Sequence, residues 1–90
     1  MSSYELPAVP VSVIIPNFNS AKFLLECVAS INAGRKPGEI IIVDDRSDDD
    51  SLRVAQGLLN EHTNVRLLVR ECNGGAAAAR LDGLKVASYE

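Results

Sequence analysis

The chain alternates short, wholly apolar runs with stretches in which apolar positions recur every three or four residues. Residues 9–15, VPVSVII, are dense in β-branched side chains without alternating, the mark of a strand buried on both faces, and Pro16 is expected to end it. In SAKFLLECVASINAG, beginning at Ser20, residues Phe23, Leu24, Cys27, Val28 and Ile31 share one helical stripe. Ser20 is placed to cap that helix and Gly34 to follow its end. After the turn RKPG, Glu39 leads into IIIV, too continuously apolar to face water on either side. A second helix is expected from about Asp48 to Asn60, with Leu52, Ala55, Leu58 and Leu59 on one face, and NVRLLVR at 64–70 supplies a third strand. The last segment, from Gly75 or Ala76 to Tyr89, is rich in helix-favouring alanine, with Leu81 and Leu84 at helical spacing.

Strand and helix in this repeated order imply an α/β fold: a parallel sheet with right-handed crossovers and helices on both faces, in three layers α/β/α. Residues 1–8 read as a tail and 9–90 as one domain, with no internal linker or low-complexity tract. In such sheets the carboxyl ends of the strands line the ligand crevice. The loops after the strands, PNFNS, DDRSDDDS and RECNGGA, should therefore share one edge, and their convergence points to a binding site there.

Composition narrows the partner. Apolar residues make up 47% against 23% charged, a balance that folds. The net charge is -3, and no basic cluster is longer than Arg35-Lys36, so there is no footprint for nucleic acid. Cys27 and Cys72 lack metal-ligand spacing and the single His62 offers no third ligand, which argues against a zinc site. No apolar run reaches the ~18 residues of a membrane span, and residues 1–10 lack the order of a leader. The expected location is the cytoplasm, at the cytoplasmic membrane face in a longer protein.

Charge is densest at 44–50. Ser47 followed by Asp48, Asp49 and Asp50 has the form of a helix start, the serine capping and the carboxylates meeting the positive end of the dipole. Consecutive residues on one turn point in different directions and do not build a metal cage. Asp44 and Asp45 sit at the strand end, ahead of any helix, so one of them should turn toward the crevice. A carboxylate there can accept from a base ring N–H or from ribose hydroxyls; alternatively both cap loop N–H groups. In the first loop Asn17 and Asn19 suit tight turns, and Phe18 between them either stacks on a planar ligand or folds back onto the core. In the third, Gly74 and Gly75 permit unusual dihedrals that bring backbone near a ligand, and the helix start behind them can bind an anion. Arg80, about one turn inside, either reaches a phosphate or forms a surface ion pair. The patterns G-x-x-x-x-G-K-[ST] and, after the first strand, G-x-G-x-x-G are absent, against P-loop nucleotidases and dinucleotide dehydrogenases.

Taken together, VSVIIPNFNSAKFLLECVASI, EIIIVDDRSDDDS and NGGAAAARLDGL resemble the start of a family 2 glycosyltransferase of the GT-A fold, over nearly the whole chain from about Pro10. The resemblance implies the N-terminal half of a nucleotide-diphospho-sugar transferase fold, with strand order 3-2-1. It implies a nucleotide-binding set of Pro16, Phe18, Asn19, Asp44, Asp45 and Arg80. In that set Pro16 and Phe18 lie against the base, Asp45 holds the base, usually uracil, with Asp44 beside it, and Arg80 lies near the nucleotide. Arg46 stands where the family commonly has glycine, and Leu81 follows Arg80 where asparagine is common.

For a parent enzyme the resemblance implies inverting transfer of a sugar from a nucleoside diphosphate donor, a UDP-sugar by the base contact, to a hydroxyl. A divalent metal, Mg or Mn, is held on an Asp-x-Asp motif after the next strand. Asp48 and Asp50 have that spacing but lie on the wrong segment, so no metal ligand and no catalytic residue is expected in this chain. It is expected to be a truncated portion, inactive alone. Strand order 3-2-1 also leaves VSVII as an open apolar edge, so self-association through the first strand is expected. The rival is a non-catalytic interaction module with a receiver-like α/β fold, although a receiver needs acidic residues where this chain has PNFNS and RECNGG.

Overall fold

In the computed structural model, which describes residues 7–89, strands and helices alternate from Val9 to Val86. They are β1 (Val9–Asn17), α1 (Ala21–Ala33), β2 (Pro37–Asp44), α2 (Ser51–Glu61), β3 (Val65–Val69) and α3 (Gly75–Val86). Of the expected tail at 1–8, the first six residues lie outside the described residues. The strands form one parallel sheet in the order β1-β2-β3, so the expected order holds. Asn17 pairs with Asp44 and Asp44 with Val69, which brings the three carboxyl ends level at one edge.

β2 is the centre of the molecule. Ile40, Ile41, Ile42 and Val43 are all fully buried because each face of the strand is covered. Ile40 and Ile42 pack with Ile15, Leu24, Val28, Ala55, Leu58 and Val65 under α1 and α2, while Ile41 and Val43 pack with Ala79 under α3. Side chains alternate along a strand. The two faces of β2 therefore continue into Asp44 on the α1 and α2 side and Asp45 on the α3 side.

Several expectations change. β1 is not buried on both faces: Val11 is exposed, Val13 and Ile14 are half-buried, and of its apolar residues only Ile15 is buried. It lies at an edge of the sheet, where coverage is partial. Pro16 does not end it either. The Asn17 carbonyl points at β2 and accepts from Asp45 N, so the neighbouring Pro16 position faces the open side, where a missing N–H costs no ladder bond. Phe23 is off the buried stripe of α1 and is exposed, while Leu24 and Val28 are buried and Cys27 and Ile31 pack half-buried against the same core. In α3 the leucines face out, Leu81 and Leu84 being 60% and 62% exposed, and the buried residues are Ala79 and Gly83. Small residues are needed there because α3 lies close to the sheet: a Cβ on Gly83 would stand 2.6 Å from Ile14 Cγ2.

The caps differ as well. Ser20 and Asp50 hold the N-cap positions of α1 and α2, and neither side chain caps. Ser20 Oγ donates to the Phe18 carbonyl instead, and Asp49 serves both helices, accepting from Ala21 N at 3.2 Å and Ser51 N at 2.9 Å. Among the described residues no helix is long and apolar enough to cross a membrane.

At the opposite end of β2, Glu39 is buried and receives the Ser88 N–H, Ser12 Oγ at 2.7 Å and Arg66 Nη1 at 3.0 Å. The Ser88 N–H, against the opposing effect of burial and joined by Ser12 and Arg66, holds its carboxyl below the ordinary 4.5. A depressed folded value stabilises the protein above the unfolded value, and that contribution is lost as pH falls through the folded one. Thermal melts between pH 7 and pH 3 should show a steeper acid loss for the wild type than for Glu39→Gln, whose side chain does not titrate. Parallel acid limbs would contradict the assignment.

Candidate functional site

The three strand-end loops meet where the sheet edge and the start of α3 face each other. They form a half-open cavity of about 190 Å³ lined by Pro16, Asn17, Phe18, Asp45, Asn73, Gly75, Ala76 and Ala79. Pro16 follows Ile14 and Asp45 follows Val43 on the α3 side of the sheet, which is why these two side chains reach the same space. Phe18 stands beside them at 45% exposure, one ring from a loop that is otherwise polar.

Asp45 is the anchor of the third loop. It is 3% exposed; Oδ1 accepts from Arg70 Nη1 at 2.6 Å and Gly74 N at 3.0 Å, and Oδ2 from Gly75 N at 2.8 Å and Gly74 N at 3.1 Å. Burial opposes ionisation, but the Gly75 N–H, the Arg70 guanidinium and the Gly74 N–H outweigh it and hold the carboxyl below its ordinary value. The start of α3 is thus clamped on a carboxylate at the cavity wall. Of the two glycines, Gly75 has a left-handed φ of +89°, whereas Gly74 has an ordinary φ of -144°. The absence of a side chain at Gly74 makes room for Arg70, since a Cβ there would collide with Arg70 Nη1.

Asp44 does different work on the other face of the sheet. It is 1% exposed, and its oxygens accept from Ser47 N at 2.8 Å, Ser47 Oγ at 2.7 Å and Asn17 Nδ2 at 3.1 Å. This buried carboxylate is what draws Ser47 away from the expected cap of α2. Asn19, at φ +50°, accepts on Oδ1 from Asp48 N at 2.7 Å and donates its own N–H to Ser47 Oγ at 2.9 Å, lacing the first loop to the second. Arg46, where the family resemblance puts glycine, has φ +61°, a conformation glycine adopts freely; its Nη1 donates to the Glu71 carbonyl.

Of the residues singled out from the sequence, the structure therefore brings Pro16, Asn17, Phe18, Asp45 and Gly75 together around one cavity. Asp44 and Asn19 support the loops from behind, and Arg80 is exposed on α3 outside the lining. Asn73, Ala76, Ala79 and Arg70 belong to the site or its support and were not singled out. Arg70 was within reach of the rule that found Asp45, since both follow a strand at the ligand edge. Among the described residues no three His, Cys, Asp or Glu side chains converge on a point. Within the aspartate run, Asp49 accepts at two helix starts and Asp50 pairs with Arg53 at 2.9 Å.

The family described as "Glycosyl transferase family 2" matches residues 12–90. The chain is 40% identical over 81 residues to Glycosyltransferase GlyG of Streptococcus pneumoniae serotype 4, covering 89% of this chain and 27% of that protein. It is 37% identical over 84 residues to the Poly(ribitol-phosphate) beta-glucosyltransferase of Bacillus spizizenii, covering 89% of this chain and 13% of that one. Among solved structures it is similar to the mannosyltransferase PcManGT of Pyrobaculum calidifontis in complex with GDP-Man and Mn2+. The match has a TM-score of 0.80 at 24% identity over 93% of this chain and 26% of that one, a likeness of fold. The chain spans about a quarter or less of the length of these relatives.

Proposed function

The chain belongs to glycosyl transferase family 2, and from that premise we propose that it is the nucleotide-binding portion of an inverting transferase that moves a sugar from a UDP-sugar to a hydroxyl. The observation that carries the reading is the cavity itself: an aromatic face from Phe18, a carboxylate from Asp45 and the start of α3 around about 190 Å³. That space is smaller than the roughly 300–1,000 Å³ of pockets for drug-sized ligands. It suits one nucleobase, with the diphosphate and sugar lying beyond it.

Asp45 accepts a ring N–H of the base in this reading, and Phe18 stacks on its face. Pro16 packs against the ring, and Asp44 and Asn19 keep the loops in register. Arg80, exposed on α3 outside the cavity lining, is the residue this reading sets near the phosphates. Asp45 is the sole carboxylate on the cavity lining among the described residues, and it is committed to the third loop. The chain alone is therefore proposed to bind the donor without turning it over, the metal ligands and the base of the parent enzyme lying elsewhere. The proposed location is the cytoplasm, where Cys27 and Cys72, both free, stay reduced.

Calorimetric titration of UDP tests this reading. The wild type should bind saturably, and Phe18→Ala, at an exposed position whose loss spares the core, should bind about tenfold more weakly, the stacking of one base. Absence of binding by the wild type would leave the non-catalytic interaction module as the better account. The open edge of β1 carries a separate proposal, that copies of the chain associate there by strand pairing. Sedimentation at tens of micromolar should reveal a dimer or larger species, and a strictly monomeric boundary would sink it.

A further inference from the structure

We propose that Arg70 is a positioning residue that sets base specificity, by occupying one acceptor side of the Asp45 carboxylate while tying it to α3 through Asp82. This rests on the nucleotide reading of the cavity and names what selects the base within it. Arg70 directly follows β3, and its N–H donates to the Asp44 carbonyl at 2.8 Å. Its side chain is 16% exposed and forks: Nη1 donates to Asp45 Oδ1 at 2.6 Å and Nε to Asp82 Oδ2 at 2.8 Å. Asp82 lies in α3 beside Gly83, the residue by which the helix docks on the sheet. The guanidinium, itself outside the cavity lining, therefore fixes Asp45 and couples it to the seating of α3.

The acceptor count gives the chemical consequence. An ionised carboxylate offers about four acceptor positions. Arg70 and Gly74 N fill those of Oδ1, while Gly75 N and a longer, shared contact from Gly74 N fall on Oδ2. Because the Gly74 N–H is shared between the two oxygens, three N–H groups meet about four positions, and the one left over is on the side of Oδ2, away from Arg70. A base with a single ring N–H between two carbonyls, as in uracil, can use it. Guanine presents a ring N–H and an exocyclic amine side by side, and pairing both with a carboxylate takes both oxygens, one of which Arg70 holds. Since the guanidinium stays charged throughout the working pH range, the exclusion is permanent.

Titration of UDP and GDP against the wild type, Arg70→Met and Arg70→Lys decides the matter. In Arg70→Met the ratio of GDP to UDP affinity should rise about tenfold, the worth of one charge-assisted hydrogen bond. Arg70→Lys, which keeps a donor on Asp45 but loses the fork, should return the ratio part of the way. A ratio unchanged in Arg70→Met, with both nucleotides weakened alike, overturns the proposal, because a brace with no role in selection would act on both equally. If Arg70→Met does not fold, Asp82→Asn removes only the far half of the fork and should raise the ratio about threefold; no change again overturns it. If the wild type binds neither nucleotide, the functional reading falls separately. Amide exchange at Gly74 and Gly75 then judges the positioning role: about tenfold faster exchange in Arg70→Met sustains it, and equal rates end it.

Discussion

Alanine in place of Asp45 is expected to weaken UDP binding about a hundredfold. Two losses combine in that figure. The base loses its charged acceptor, and Gly74 N, Gly75 N and Arg70 lose the carboxylate that gathers them, so the third loop no longer forms the cavity wall. Asp45→Asn separates them, because an amide keeps the shape but presents N–H groups where the glycine N–H groups need acceptors. It should bind nearly as poorly as alanine while melting closer to the wild type. Asp44→Ala is the control from the neighbouring position: it leaves the Ser47 N–H and the Asn17 amide without their buried acceptor, at a cost of about 2–3 kcal/mol. Its main effect should be a lower melting temperature, with UDP affinity retained in the folded fraction. Equal loss of binding in the two alanine variants at matched folded fraction would show that the pair does not divide its labour as described.

Valine in place of Gly83 should cost about 3 kcal/mol, the upper range of overpacking in a tight interface. For a chain of this length that lowers the melting temperature by roughly 15 °C. The first added carbon alone would stand 2.6 Å from Ile14 Cγ2 and 3.2 Å from Val43 Cγ2, and Val43 is fully buried in the central strand with no room to yield. The gain of about 1 kcal/mol from removing a mid-helix glycine does not offset this. α3 must lift, taking Gly75 N away from Asp45 and Asp82 away from Arg70, so the binding cavity should open with the core. Leu81→Lys and Leu84→Lys, on the exposed face of the same helix, should leave the melting temperature within a few degrees of the wild type. A Gly83→Val protein as stable as the wild type would mean that α3 does not seat on the sheet through this glycine.

The contrast between Gly83 and the leucines shows what the sequence could and could not reveal. The run IIIV announced a central strand because every residue in it is apolar, and the alternation of strand and helix fixed the layers and the ligand edge. The packing face of α3 was hidden, since helical spacing of leucines normally marks the buried side, and here close approach is made by alanine and glycine. The two aspartates were legible as a pair at the strand end, but their division of labour follows from which helices cover which face of β2. Ser47 does not cap α2 for a related reason: Asp44 becomes a buried acceptor only once the sheet forms, and the nearest hydroxyl then serves it rather than the helix. Arg70 drew no notice because a lone arginine after a strand is usually solvated; its meaning depends on Asp45 and Asp82, 25 and 12 residues away in sequence.

The central claim is that the three strand-end loops form one site for a nucleotide base, and amide shift mapping of the labelled chain during a UDP titration tests it most directly. Saturable shifts concentrated at Phe18, Asp45, Asn73, Gly74, Gly75 and Ala76 are expected, with α2 and the Asp48–Asp50 turn nearly silent. Shifts centred on that aspartate turn, or none up to millimolar UDP, would contradict it.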